Sequence, residues 1–266
     1  MLAAWSVPIP ASNAEPLRRW RNVLACLGLG AIAAFVFALV ALHIADGRDT
    51  PSHMSEFANS RFGLLWALAV YTVVVGGAMV VWALKPFLQG CPSKWIGMGM
   101  LAMAGVAGIL IAAFPTDETY VSSFSGRVHN DAALSTFALL GAAMVVLYPA
   151  LRASPGMRSF ARVSVLLGVL VTASWVTYLV TTLARIHVYG PTQRILVALI
   201  VTWFILLGLR VRAAARPPGR LRTIVLSTPA PPIIAVAMPR RAPRTSGAAV
   251  RGKRLKPRAV KRPVSG

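Results

Sequence analysis

The chain alternates long apolar runs with short polar connections. Six runs stand out, at residues 23–44, 63–84, 95–114, 132–151, 160–183 and 195–211. Each approaches the roughly 20 apolar residues that carry a helix across a bilayer core. Charge enters these runs only near their ends, at Arg162 and Arg210. The apolar residues follow no amphipathic period, as expected of helices bathed in lipid on all sides. The pattern therefore predicts an all-α polytopic membrane protein, a six-transmembrane-helix bundle. The first run exceeds the 7–15 apolar residues of a signal-peptide core, so an uncleaved first span is expected.

Composition agrees with that reading. Hydrophobic residues make up 56% of the 266 and charged residues 13%, with a mean hydropathy of +0.66. Soluble domains carry about 25% charged residues, so an ordinary water-soluble fold is excluded. Wholesale disorder is excluded too, because it requires low hydrophobicity.

Charge adds direction. The net charge is +21. Residues 212–266 hold 14 of the 28 Lys and Arg and no acid. Prolines such as Pro217, Pro218, Pro229, Pro231, Pro232, Pro257 and Pro263 interrupt this stretch, which reads as a disordered polybasic tail. Counting loops alternately, one side of the membrane receives 23 Lys and Arg and the other only Arg48, Arg61, Arg127, Arg185 and Arg194. The positive-inside rule then places both termini in the cytoplasm of a cell with the protein in its plasma membrane. The expected organisation is a cytoplasmic segment at 1–22, the six-helix domain at 23–211 and the tail at 212–266. The expected partners are the bilayer and, for the tail, anionic lipid headgroups. Nucleic acid is disfavoured, because residues 252–262 interleave no aromatics for base stacking. Cys26 and Cys91 fall on the cytoplasmic side, too isolated for a disulfide or a metal motif.

The opposite side collects the groups capable of chemistry. Asp46, Asp49, Glu56, Asp117, Glu118 and Asp131 fall there, as do His43, His53, His129 and His187; only Glu15 lies inside. Plain solvated loops would explain such residues, and so would a functional constellation. Two features point to the second reading. Ser174, Thr177, Tyr178, Thr181, Thr182 and Arg185 lie on one helical face of the fifth span. A polar stripe in lipid must pack inward, bond back to its own helix or line a wet cavity, and an outer-half vestibule would satisfy it. The second feature is the loop running from Phe114-Pro115-Thr116-Asp117 to His129-Asn130-Asp131. There Asp117 and His129 are candidate metal ligands or acid–base groups, with Glu56, His43 or His53 completing the set. Capping of the fourth helix by Asn130 or Asp131 is the competing explanation of that loop. In the third span Ala104, Gly108 and Ala112 recur every four residues, a spacing that lets helices approach closely.

Six spans, the Phe-Pro-Thr-Asp element followed by Arg127 and His129-Asn130, Ser55-Glu56 before the second span, and Gly190 with Arg194 entering the last together carry a resemblance. Over about residues 20–212 the chain resembles the bacterial domain-of-unknown-function 998 family of six-span membrane proteins. Gln193 departs from the family pattern, which prefers Glu before the Arg. The resemblance implies a membrane protein without an assigned activity. It singles out Glu56, Asp117, His129 and Arg194 as the positions to test.

Two functions follow as expectations. The first is a protein that binds or passes a lipid or small solute through an outer-half polar vestibule, with Ser174, Thr177, Tyr178, Thr181, Arg185 and Arg194 as its lining. The second is an outer-face hydrolase or transferase acting on lipid headgroups through Asp117, His129 and Glu56, with a metal ion as its possible cofactor. Proton pumping is disfavoured by the lack of acids at mid-membrane, ATP drive by the lack of a Walker motif, and a haem site by histidines confined to span ends and loops.

Overall fold

A computed structural model of the chain describes residues 11–46, 53–88, 91–117, 123–184, 186 and 188–215. Two compact units divide the chain, residues 1–220 and 221–266, and the second lies wholly outside the described residues. Arg48, Asp49, Glu118, Arg185 and His187 lie outside them as well, and so does the tail beyond Ala215.

Seven α-helices and two short 3-10 segments make up the described residues, with no strand among them. The helices are α1 (Ala11–Asp46), α2 (Gly63–Leu84), α3 (Pro92–Ala113), α4 (Phe124–Val146), α5 (Tyr148–Ala153), α6 (Arg158–Leu183) and α7 (Tyr189–Ala215). Six stretches are long and apolar enough to cross a membrane: Pro16–Ala45, Gly63–Phe87, Pro92–Ala113, Phe124–Ala153, Arg158–Leu183 and Tyr189–Ala215. In hydrocarbon every backbone polar group must be paired within its own segment, which a helix achieves unaided. The chain is thus an all-helical integral membrane protein with six spans. The face where α1 begins and α7 ends carries Arg152, Arg158, Arg162 and Arg210, and is termed the arginine face. The other, termed the histidine face, carries His43, His53 and His129.

Helix ends follow local chemistry more closely than hydropathy does. The fourth helix begins at Phe124, eight residues before the apolar run starts at 132. Ser123 caps it, its hydroxyl accepting from Gly126 N at 3.0 Å. Asn130 and Asp131 therefore lie in the body of α4 and do not cap it. The last helix starts at Tyr189, before the apolar run at 195. Pro191 sits in its first turn, where a missing N–H costs nothing.

Neighbour contacts close the spans into a ring in the order α1, α2, α3, α4, α6, α7 and back to α1. Two junctions bring backbones close. A Cβ on Gly28 would stand 2.7 Å from Gly76 O, which joins α1 to α2. A Cβ on Gly168 would stand 2.9 Å from the Met144 Cβ and 3.1 Å from Gly141 O, which joins α4 to α6. Without a hydrophobic drive between helices in lipid, such small-residue contacts carry the packing. A polar relay crosses the core as well. Trp203 Nε1 donates to Ser164 Oγ at 3.0 Å, and Ser164 Oγ donates to Met144 O at 2.8 Å. It links α7, α6 and α4.

The small residues of α3 give both close approach and space. A Cβ on Gly108 would stand 2.7 Å from the Val74 side chain of α2, and Ala104 and Gly108 also line an internal cavity. Missing side-chain volume here leaves space where the α1–α2 junction is tight.

Gly76→Val should therefore force α1 and α2 apart, at an overpacking cost of about 1–3 kcal/mol. Gly30→Ala, whose Cβ meets nothing within 4 Å, should not destabilise and should gain up to about 1 kcal/mol from the better helix former. Thermal unfolding of the detergent-purified variants measures both.

Candidate functional site

The Phe-Pro-Thr-Asp element is held residue by residue. Phe114 O accepts from His129 Nδ1 at 2.7 Å, and Pro115 O accepts from Ser125 Oγ at 2.9 Å. Thr116 O accepts from Asn59 Nδ2 at 2.8 Å. The Asp117 carboxylate accepts from both the backbone N and the hydroxyl of Ser123. Gly126 makes room for that carboxylate, since a Cβ there would overlap Asp117. A carboxylate at the first turn of α4 also meets the positive end of the helix dipole. This loop thus joins α3 to the start of α4, and Asn59 ties the first polar loop to it.

A second network gathers beside it. His53 precedes the 3-10 turn Met54–Asn59, and its backbone N donates to Glu56 Oε1 at 3.0 Å. Its ring stacks on Tyr189 at 4.3 Å, and its Nδ1 lies 3.3 Å from Tyr178 Oη. Met54 N donates to the buried Gln193 Oε1 at 2.8 Å. His43 donates from Nδ1 to Leu39 O at 2.7 Å, leaving Nε2 to accept from Arg194 Nε at 3.1 Å. Glu56 is an electrostatic neighbour of both Arg194 and His53. Burial holds the His53 imidazole below its ordinary value of 6.5; Arg194 and His129 push the same way, and Glu56 opposes them.

Below this polar cap lies a cavity of about 510 Å³, within the usual range for small-molecule pockets. Its walls come mainly from α2, α3, α4 and α7 and are apolar, with Phe137, Ile200 and Phe204 among them. The side chains with polar atoms that line it are Ser55, Trp66, Trp82, His129, Thr136 and Gln193. The Trp66 indole N–H is buried with no hydrogen-bond partner among the described residues. Trp82, Val106 and Ile109 line the cavity and are exposed, so it is open on the side of α2 and α3.

The expected site residues divide among these features. His129 reaches the cavity wall. Asp117 is engaged by Ser123, and Glu56 and Arg194 belong to the histidine network. Of the fifth-span stripe, which α6 carries, Thr177 is exposed and donates back to Ala173 O at 3.0 Å. Thr181 is buried and donates to Tyr178 O at 3.0 Å, while Ser174 is half-buried. None of these stripe residues lines the cavity, and Arg185 lies outside the described residues. Among the described residues no three His, Cys, Asp or Glu side chains converge as metal ligands. Sequence reasoning missed Trp66 and the α2–α3 wall, because uniformly apolar helices show no preferred face. The one available signal was the crowding of Gly and Ala at 76–78 and 102–108.

Two outcomes follow. Ser123→Ala should remove the α4 cap and destabilise the protein by about 1 kcal/mol; Asp117→Ala, which frees the same hydroxyl, should cost a similar amount, and the double variant should cost less than the sum, as read by thermal unfolding. His53 binds protons less readily folded than unfolded, so stability is full above its unfolded value near 6.5 and falls as pH drops through that value toward the lower folded one. His53→Phe, which keeps an aromatic ring on Tyr189, should flatten the unfolding midpoint across that acid window.

No curated protein and no solved structure matches the chain. The family described as "Protein of unknown function (DUF998)" matches residues 29–210, a stretch that takes in the second half of α1, all of α2 to α6 and α7 up to Arg210. The chain belongs to that family.

Proposed function

We propose that the protein binds a single amphiphile with a long apolar chain, such as a lipid acyl group, in the cavity enclosed by α2, α3, α4 and α7. The observation that carries this reading is the cavity's polarity gradient. Its walls are apolar along most of their length, and Ser55, Trp66, His129 and Gln193 line it at the histidine-face end. From Trp66 to Trp82 the cavity follows α2 for about 24 Å at 1.5 Å per residue, a length suited to a chain lying parallel to the helices. The unpaired Trp66 N–H gives a donor for a carbonyl or carboxylate oxygen, since an orphaned buried donor costs about 1–3 kcal/mol. A side opening toward lipid supplies an entry path that never exposes the chain to water.

The alternative, an outer-face hydrolase or transferase on lipid headgroups, draws support from the convergence of the first and third polar loops through Asn59 and Thr116. It is the weaker reading, because the Asp117 carboxylate and His129 Nδ1 already serve the loop. A metal-assisted form would need a ligand set from beyond the described residues.

Binding of a fluorescent long-chain fatty acid to the detergent-purified protein tests the proposal. Wild type should bind one probe. Gly105→Leu should abolish that binding with the fold intact, because a Cβ at Gly105 meets nothing within 4 Å and the added side chain enters the cavity wall. Trp66→Phe should weaken binding while leaving the cavity's shape nearly unchanged. Equal binding by wild type and Gly105→Leu would sink the reading.

A further inference from the structure

The arginine face holds a second concavity, unconnected with the cavity above. It has a volume of about 360 Å³ and is lined by Tyr148, Arg152, Arg158, Ala161 and Arg162. Its residues come from α5 and the first turns of α6. The sequence makes this corner deliberately tight. Pro149 opens α5, and Ser154-Pro155-Gly156-Met157 turns the chain back on itself. Ser154 Oγ donates to Ala150 O at 2.9 Å, and Arg210 Nε donates to Gly156 O at 2.8 Å, which anchors the turn to α7.

The turn brings three guanidinium groups to one pocket, with no acid anywhere in residues 132–266 to offset them. All three arginines are exposed. Arg152 is aimed by Tyr148, whose hydroxyl accepts from Nη1 at 2.9 Å and whose ring lies 5.8 Å from the guanidinium carbon. Arg158 Nε donates to Arg152 O at 3.4 Å. Helix α6 begins at this pocket without a capping side-chain hydrogen bond, so its positive dipole end faces the same space. Three like charges placed together repel one another, and an anion relieves that repulsion. Guanidinium forks fit phosphate oxygens in pairs. The pocket sits where the fourth span, Phe124–Ala153, finishes and the next, Arg158–Leu183, begins.

We propose that Tyr148, Arg152, Arg158 and Arg162 form a binding site for a phosphate group, with an anionic phospholipid headgroup or free phosphate as its carrier. The site is independent of the α2–α3 cavity and of whatever that cavity holds.

The test uses the full chain in detergent, with the unfolding midpoint followed by intrinsic fluorescence. Phosphatidylglycerol, phosphatidylcholine and inorganic phosphate are titrated separately. The basic residues beyond Ala215 contribute equally to wild type and variants, so differences between proteins report the pocket. Phosphatidylglycerol should raise the wild-type midpoint. Its apparent affinity should fall about fivefold in Arg162→Gln and roughly 100-fold in the Arg152→Gln, Arg158→Gln, Arg162→Gln triple variant. A response to phosphatidylglycerol without one to inorganic phosphate assigns the lipid as carrier, and a response to inorganic phosphate assigns the free anion. Equal responses of wild type and Arg162→Gln, which removes only an exposed side chain, overturn the proposal. So does a phosphatidylcholine response as large as that to phosphatidylglycerol, or no response to any of the three.

Discussion

The contact between α1 and α2 at Gly28 and Gly76 sets the geometry of everything around it. Gly76 is spent on α1, while the neighbouring Gly77 and Ala78 face the cavity with Ala104, Gly105 and Gly108 of α3. The same small-residue chemistry thus yields a seam on one side of α2 and a void on the other. Around the rest of the ring, Gly141 and Gly168 repeat the tight solution, and the Trp203–Ser164–Met144 relay fixes the depth of α7 against α6 and α4.

At the histidine face the constraint changes from packing to polar satisfaction. Loops here approach the membrane interface, where each unpaired backbone group is costly. Successive carbonyls from Phe114 to Thr116 are consequently matched by donors from three different residues, and Gln193 reaches across to Met54 N. Arg194 sits between a neutral acceptor on His43 and the nearby Glu56 charge. Polar residues that look catalytic in a one-dimensional reading are here spent largely on holding backbone. Few polar residues line the cavity, and among them Trp66 has a buried N–H with no partner among the described residues.

The fold was legible in the sequence because bilayer thickness imposes a length on every spanning helix, and the apolar runs advertise that length directly. Helix starts were less legible. The residues from Ser123 to Asp131 are polar, yet they form a capped helix before the apolar stretch begins, and hydropathy cannot register a cap. His129 and Arg194 were found because they stand out chemically. Gln193 stood out only as a departure from a pattern, although it is the buried partner of a backbone N–H. The spacing of the fifth-span stripe fits a cavity lining and hydroxyls bonded back to their own helix equally well, and Thr177 and Thr181 do the latter. The cavity itself depends on which helices neighbour one another, and that ring order is invisible in any single segment.

The Asn59 to Thr116 hydrogen bond bears on how the side opening could behave. Asn59 lies just before α2 begins, and Thr116 just after α3 ends. At the other end the two helices are joined covalently by a short connection, braced by Lys94 Nζ donating to Leu88 O at 2.9 Å. The pair is therefore fastened at both ends, and within its length the Val74 side chain presses on Gly108. Any widening must be a bowing between these points, with the ends held. Such an aperture admits a slender flexible chain by its flank while refusing a broad rigid body, whatever the depth of the chamber behind it.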